Sequence, residues 1–154
     1  MSTFTNLLFH IVFSIKYRKP IIESVWQDQL YGYVGGIIRE HKGTLLSMGG
    51  VSDHVHLLAK LSPTIAISDM LRLIKSNSSK MVNDEIRPSI RFEWQPGYAA
   101  FPVSESQFDR VRTYIGNQEE HHRRKTFEDE FIELLKRHNV TYDLRYVFEQ
   151  EIIE

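Results

Sequence analysis

The sequence predicts an α+β fold: a ferredoxin-like split βαβ antiparallel sheet with helices on one face and a C-terminal tyrosine-bearing helix. The first observation behind this prediction is the hydrophobic period, which alternates between two and about 3.6 residues in the order β-α-β-β-α-β. The second is a further helical stretch that contains a tyrosine. With 154 residues and 42% hydrophobic content, the chain is most simply one domain over residues 1–154.

The first strand is predicted over residues 6–16, because apolar side chains recur there at every second position. One face of this strand holds Leu7, Phe9, Ile11, Phe13 and Ile15, and the other holds Leu8, His10, Val12, Ser14 and Lys16. Apolar residues at helical spacing then predict a helix over residues 24–41. Ser24 and Gln27 are typical of a capping box at its start, and Gly43 is typical of a helix end.

Two strands are predicted next, over residues 44–48 and 53–61, joined by the hairpin-like sequence GGVSD. A helix over 66–84 and a short strand near 98–103 complete the pattern, with an aromatic loop rich in Gly and Pro between them. The first and third strands of such a sheet are central neighbours. The third strand is therefore expected to lie beside His10.

The rest of the chain is predicted to be largely helical. One helix is expected over residues 105–122, with Ser104 or Ser106 as its N-cap, and another over 127–138. A short strand or helix is predicted near 144–153.

The absence of cysteine excludes disulfides and thiolate zinc sites, which suits a reducing cytoplasm. No apolar run approaches the ~20 residues that a membrane-spanning helix needs. The first residues do not contain a basic segment followed by an uninterrupted apolar segment, which is the pattern of a signal peptide. We therefore expect no signal peptide. We therefore expect a cytoplasmic protein with no membrane partner.

The net charge of −1 is low for a nucleic-acid-binding protein, but the charge is unevenly distributed. Basic residues cluster at 16–19, at 72–80 and at 123–125, whereas the last residues carry Glu149, Glu151 and Glu154. The clusters indicate either a locally basic binding face or ordinary solvated surface charge.

Two histidines, His54 and His56, flank Val55 in the third predicted strand and point to the same side of the sheet. Their side chains begin roughly 6–7 Å apart, so that both imidazoles can bind one divalent ion. The alternative is a pair of half-exposed polar residues on a strand surface. Two histidines do not complete a catalytic metal site, because such a site needs a third protein ligand and an open position.

On the helix predicted over 105–122, Tyr114 and Gln118 are four residues apart and share a face. The amide oxygen of Gln118 suits Mg²⁺ or Mn²⁺, and on the residues alone His122 is an equally good third ligand. The alternative is that Tyr114 edges the core and Gln118 is an ordinary surface residue. Gly116 lowers the stability of this helix and is a candidate position for a break.

Several segments together resemble a known family: FHIVFSIKYRKPI, DHVHLLAKL, WQPGYAAFPVS, YIGNQEEHH and YDLRYVFE. The chain is similar to the single-tyrosine HUH transposases of small bacterial insertion sequences, TnpA-like proteins whose elements move as single-stranded DNA. HUH denotes two histidines around a hydrophobic residue. The resemblance covers nearly the whole chain, and its specificity comes from the histidine pair occurring together with the Tyr-x-x-x-Gln helix.

The resemblance implies that His54 and His56 bind Mg²⁺ or Mn²⁺ and that Gln118, rather than His122, is the third ligand. It implies that Tyr114 is the nucleophile and forms a 5′-phosphotyrosine. The implied function is a metal-dependent single-strand DNA transposase that cleaves and rejoins hairpin-flanked element ends. The implied partners are single-stranded DNA with subterminal hairpins and a second copy of the chain. In that homodimer the tyrosine helix of one subunit completes the histidine site of the other.

Candidate contacts to the DNA backbone come from two of the basic clusters: Lys16, Arg18, Lys19, Arg72, Lys75 and Lys80. Trp94 and Tyr98 are candidates for stacking on unpaired bases. The alternative for these two aromatic residues is that they pack a loop over the sheet.

Three other functions remain open at this stage. A domesticated relative would bind or nick chromosomal palindromes with the same active-site residues. A non-catalytic nucleic-acid-binding module would use the histidines structurally. A metal-dependent hydrolase would use water and release a free 5′-phosphate with no link between protein and DNA.

Overall fold

Four antiparallel strands form the sheet of the computed structural model, which describes residues 1–148, in the order β2-β3-β1-β4. The strands are β1 (Leu7–Ser14), β2 (Thr44–Gly50), β3 (His54–Leu61) and β4 (Ala99–Pro102). As the sequence predicts, β1 and β3 are the central pair, with His56 opposite Val12 and His54 opposite Ser14. The ferredoxin-like α+β prediction is thus confirmed.

Helices lie on both sides of this sheet. Helices α1 (Ser24–Glu40) and α2 (Ile67–Met81) cover one face, and a π-helical turn continues α2 to Ile86. The other face is covered by α3 (Phe108–Gly116), α4 (Gln118–His122), α5 (Phe127–Arg137) and α6 (Leu144–Val147). The element predicted near 144–153 begins as a helix, and its residues 149–153 lie outside the described part. Among the described helices, none is long and apolar enough to cross a bilayer.

The face under α1 and α2 is an apolar core. Alternation along β1 and β3 sends one set of side chains into it, among them Ile11, Phe13, Val55 and Leu57. These side chains pack against Leu30, Val34, Met70, Leu71 and Ile74 of the two helices, and all of them are buried. Burial of this apolar surface is the main stabilising term for the sheet.

The opposite face has a smaller apolar cluster and a group of buried polar side chains. Val12, Ala99 and Phe101 pack there against Phe127, Leu134 and Leu135. Beside them His10, Ser14, His54 and His56 are buried, although all four are polar. A buried polar group needs hydrogen-bonding partners, so this face must supply them.

Two local predictions differ from the structure. The capping box of Ser24 does not form, because Ser24 is already the first helical residue and Glu23, without a side-chain cap, is the N-cap. The single helix predicted over 105–122 is a 3-10 turn followed by α3 and α4, which break at Asn117. Gly116, the candidate break, ends α3, since glycine is a poor helix former.

Candidate active site

Partners outside strand β3 hold the rings of its two histidines, His54 and His56, through contacts to their Nδ1 atoms. Nδ1 of His54 is 2.7 Å from Oδ1 of Asp53, and Nδ1 of His56 is 2.8 Å from Nε2 of His10. Both β3 histidines are completely buried. Their Nε2 atoms therefore point away from the strand toward α4 and α5. This is the arrangement in which metal-binding histidines are held by a second layer of partners.

Three further side chains converge on those Nε2 atoms. The Oε1 atom of Glu130 lies 3.0 Å from Nε2 of His56 and 3.4 Å from Nε2 of His54. It also lies 3.1 Å from Nε2 of His122. The Oε1 atom of Gln118 is 3.3 Å from Nε2 of His54 and 3.1 Å from Nε2 of His122. We call these five residues the His/Glu cluster.

Four members of the His/Glu cluster, His54, His56, His122 and Glu130, each offer a ligand atom, and these atoms lie within 4.8 Å of one another. The structure therefore brings together both candidates for the third ligand, Gln118 and His122. Three imidazole nitrogens with carboxylate and amide oxygens form a donor set that a divalent transition metal accepts.

Glu130 is the residue that sequence reasoning missed. It lies in α5, 74 positions after His56, among several other acidic residues. One signal could have identified it: Phe127, Glu130, Phe131 and Leu134 follow helical spacing, so that the carboxylate falls on the apolar stripe of α5. A carboxylate on such a stripe needs a buried partner.

Tyr114 meets the His/Glu cluster within the same chain. Its hydroxyl donates a hydrogen bond to Oε2 of Glu130 and lies 3.4 Å from Nε2 of His121. The centroid of its ring is 5.8 Å from that of His56 and 6.0 Å from that of His10. The predicted nucleophile and the predicted metal ligands thus share one site.

Close contact between α3 and β2 places Tyr114 there. Gly49 of β2 pairs with His56 of β3, and a Cβ atom at Gly49 would lie 2.1 Å from the carbonyl oxygen of Ile115. Only a residue without a side chain allows this approach. Because Ile115 follows Tyr114 directly, Gly49 sets the distance between the tyrosine helix and the histidine strand.

Burial and hydrogen bonds shift the pKa of several groups in opposite directions. Burial lowers the pKa of His56 to about 4, and burial together with His56 lowers the pKa of His10 to about 3. Burial also acts to lower the pKa of His54, but hydrogen bonds to Asp53 and Glu130 outweigh it and raise this pKa. His56 is therefore a neutral imidazole near pH 7, the protonation state that binds metals.

Glu130 and Tyr114 are shifted in opposite directions. Burial would raise the pKa of Glu130, but hydrogen bonds with His122, His54 and His56 hold this pKa well below its ordinary range. Burial and the hydrogen bond to Glu130 raise the pKa of the Tyr114 phenol. Glu130 is thus ionised and the phenol keeps its proton.

Residues 3–118 match the family described as IS200-like transposases, which is well over half of the chain. The chain belongs to the IS200-like transposase family. The match contains His54, His56, Tyr114 and Gln118 and ends before His122 and Glu130.

Two transposases have sequences similar to that of this chain. The chain is 26% identical over 119 residues to the ISDra2 transposase TnpA of Deinococcus radiodurans, covering 73% of this chain and 84% of that protein. It is 27% identical over 123 residues to the transposase of insertion sequence IS200 from Salmonella typhimurium, covering 73% of this chain and 77% of that one.

Two solved structures share the fold of this IS200-like chain. A transposase from Deinococcus radiodurans aligns with a TM-score of 0.61 and 24% identity, over 77% of this chain and 95% of its own. A REP-associated tyrosine transposase bound to a REP hairpin aligns with a TM-score of 0.56 and 14% identity, over 75% of this chain and 70% of its own.

Most of the candidate DNA-binding cations of this IS200-like chain are engaged in ion pairs or hydrogen bonds. Arg72 and Lys80 are exposed on α2, on the far layer of the sheet, and pair with Asp69 and Asp84. Lys75 donates to the carbonyl oxygens of Gln95, at 2.8 Å, and of Gly97. After β1, Lys16 lies 3.3 Å from Glu93, Arg18 pairs with Glu128, and Lys19 is exposed.

Of the two aromatic candidates, only Tyr98 is exposed. The prediction that Trp94 stacks on unpaired bases is wrong for the described structure, because Trp94 is 7% exposed and its indole N–H donates to Ser78. Its ring packs edge-on against Phe13 and Phe92 at 4.8 Å. Trp94 therefore packs its loop over the sheet, which was the alternative.

Proposed function

We propose that this protein is a metal-dependent single-strand DNA transposase that cleaves and rejoins hairpin-flanked DNA ends through a 5′-phosphotyrosine on Tyr114. The observation that carries the proposal is the hydrogen bond from Tyr114 to Glu130, whose other oxygen contacts both β3 histidines. Family membership supports the transposase function. The hairpin in the neighbouring REP-associated transposase supports hairpin DNA as the substrate.

The residues fit a divalent cation such as Mg²⁺ or Mn²⁺. His54 and His56 would hold it through Nε2, because Asp53 and His10 already contact their Nδ1 atoms. Gln118 would add an amide oxygen, and Glu130 and His122 extend the donor set beyond the residues predicted from sequence. When bound, the ion supplies positive charge to the phosphate under attack.

Tyr114 supplies the nucleophile in this proposal. Its phenol oxygen bonds to phosphorus, the bond from phosphorus to the 3′ oxygen breaks, and this oxygen takes a proton from water and leaves as a free 3′-hydroxyl. The hydroxyl of Tyr114 already donates to Oε2 of Glu130, which orients the phenol oxygen; because the pKa of Glu130 is so low, this carboxylate holds the proton only weakly, and the proton passes on to water. In the reverse direction, a 3′-hydroxyl attacks the phosphotyrosine and rejoins the strands. The phosphoester link is retained throughout, as strand transfer requires.

The test is a covalent-adduct assay with labelled, hairpin-bearing single-stranded DNA and either Mg²⁺ or Mn²⁺. The wild-type protein should give a protein–DNA band that survives denaturation, and Tyr114→Phe should give none. Tyr33→Phe, an exposed tyrosine on the far helix α1, is the matched control and should react like the wild type. Adduct formation by Tyr114→Phe would show that another residue is the nucleophile.

The homodimer with sites completed between subunits, the single domain over 1–154 and the cytoplasmic location stay predictions. In the described chain, Tyr114 and both β3 histidines already meet within one subunit. Mixing inactive Tyr114→Phe with inactive His56→Ala decides the arrangement. Recovery of the adduct requires sites shared between subunits, whereas a site built within one chain stays inactive in the mixture.

A further inference from the structure

A cavity of about 940 Å³ lies next to Tyr114, outside the His/Glu cluster. One wall comes from the N-cap residue Gln107 and from α3, where Arg110, Val111 and Tyr114 follow helical spacing and therefore share a face. The other wall comes from Leu134, Arg137 and His138 at the end of α5. None of the interactions described for the proposed reaction accounts for this cavity.

The lining of the cavity combines flat or apolar surfaces with positive charge. Val111 and Leu134 are aliphatic, and the ring of His138 stacks on Phe101 at 4.1 Å with an angle of 10° between the planes. Arg110 and Arg137 add two guanidinium groups, and no carboxylate of residues 1–148 lines the cavity. Bases bind flat and apolar surfaces, and guanidinium groups bind phosphates.

The cavity is also bordered by the residue that carries the proposed reaction. Tyr114 lines it, while the hydroxyl of the same residue contacts Glu130. A DNA strand attacked at Tyr114 must leave the site on either side of the scissile phosphate. The volume lies within the range of ordinary ligand pockets, about 300–1,000 Å³, so that a nucleotide fits.

We propose that this cavity holds the unpaired nucleotide joined to the phosphate that Tyr114 attacks. Its base lies against Val111, Leu134 and His138, and its phosphate contacts Arg110 and Arg137. The inference rests on the proposed function, since it assigns the cavity to the same DNA strand. It adds a binding subsite for single-stranded DNA that is separate from the hairpin and the metal.

The test measures binding without chemistry. A fluorescent dT12 oligonucleotide, which forms no hairpin, is titrated in EDTA and followed by anisotropy. The double variant Arg110→Gln/Arg137→Gln should bind at least fivefold more weakly. The slope of its log binding constant against log salt concentration should be smaller in magnitude by roughly one to two. The control is Arg112→Gln, an exposed residue of α3 outside the cavity, which should bind within twofold of the wild type.

A second variant tests the cavity itself. Val111→Trp fills the space and should weaken dT12 binding at least fivefold, whereas Thr113→Trp, exposed on α3 and outside the cavity, should not. Thermal melts confirm that the variants fold, and the double arginine variant changes only exposed side chains.

Normal dT12 binding by Val111→Trp overturns the proposal, even if the arginine variant binds weakly. In that case the DNA strand contacts the arginines at the surface, and its base does not enter the cavity. Normal binding by both variants overturns it as well. The adduct assay separates this failure from failure of the proposed function. A wild-type protein that forms the Tyr114 adduct while both variants bind dT12 normally refutes the cavity subsite alone.

Discussion

The two faces of the central strand pair are built from alternate residues of the same segments, yet they differ in chemistry. On one face Val55 and Leu57 are completely buried among aliphatic and aromatic side chains. On the other, His54 and His56 are equally buried, but each ring nitrogen has a polar partner. Burial therefore does not distinguish the structural face from the candidate reactive face. The two faces are distinguished by the partners of the buried side chains, which are apolar on one face and polar on the other.

Neighbouring residues on opposite faces give the largest expected effects. Leu57→Ala should lower the free energy of unfolding by about 2–5 kcal/mol, since it leaves a cavity in the apolar core. His56→Ala should instead abolish measurable Mn²⁺ binding, because it removes one of the converging Nε2 atoms. Urea denaturation and Mn²⁺ titration by electron paramagnetic resonance measure the two quantities.

If the two faces are independent, the Mn²⁺ affinity of Leu57→Ala should stay within about threefold of that of the wild type. The titration is made under conditions in which the variant is still folded. If Leu57→Ala lost the metal while remaining folded, the two faces would be coupled and the comparison would fail.

Glu130 extends the comparison to α5, where it is the single carboxylate on an otherwise apolar stripe. Glu130→Gln should weaken Mn²⁺ binding roughly 10–100-fold, a range typical of groups that hold or orient metal ligands. The same titration measures it.

Asp129→Asn is the matched control, since Asp129 precedes Glu130 on the same helix but is exposed. It removes one carboxylate from α5 without touching the His/Glu cluster. Equal loss of affinity in both variants would indicate a general charge effect instead of a specific role for Glu130.

A substitution at Gly49 tests whether the close contact between β2 and α3 positions Tyr114 relative to the β3 histidines. Gly49→Ala should slow adduct formation about 10–100-fold, because the added Cβ displaces Ile115 and shifts the neighbouring Tyr114 away from its position beside the metal ligands. Mn²⁺ affinity should change much less, since the β3 histidines stay in place. Rapid-quench measurement of the adduct gives the rate.

Gly32→Ala in α1 is the control substitution. A Cβ atom there meets no atom of the described part of the chain within 4 Å, so the variant should react normally and gain up to about 1 kcal/mol of stability. A normal adduct rate for Gly49→Ala would show that the contact with Ile115 does not position the nucleophile.

The smallest effect concerns pH. The pKa of His56 is about 4 and that of His10 about 3, both below the value of 6.5 expected in the unfolded chain. The unfolded chain therefore binds more protons as pH falls below 6.5, and the metal-free protein should lose stability toward pH 4. The slope is at most about 1.4 kcal/mol per pH unit for each histidine.

Urea denaturation at several pH values, with EDTA present, measures this slope. His10→Gln should reduce it, whereas Leu57→Ala should lower stability equally at every pH. A slope that is unchanged in His10→Gln would assign the acid sensitivity to other groups.

Periodicity was sufficient to predict most of the fold, because alternation in β1 and β3 is a direct consequence of burial on two faces. The same alternation identified which way His54 and His56 point. Tyr114 and Gln118 share a face in the sequence, and the structure keeps them close although the helix breaks at Asn117.

The remaining features depend on tertiary contacts that local patterns do not report. Trp94 lies in a loop rich in Gly and Pro, whose path over the core has no periodic signal. Gly49 resembles an ordinary hairpin glycine until α3 is seen to pack on it. Glu130 becomes special only through partners in β3 and α4.

The distance along the chain between Glu130 and the β3 histidines has a consequence for synthesis. Glu130 follows His56 by 74 residues, so ribosomes adding about 5–20 residues per second need roughly 4–15 seconds more to produce it. During that interval the nascent polypeptide carries both imidazoles and then the phenol, but lacks the carboxylate that joins them. Under the proposed function, a growing chain at that stage should therefore bind the divalent ion more weakly than the finished protein does.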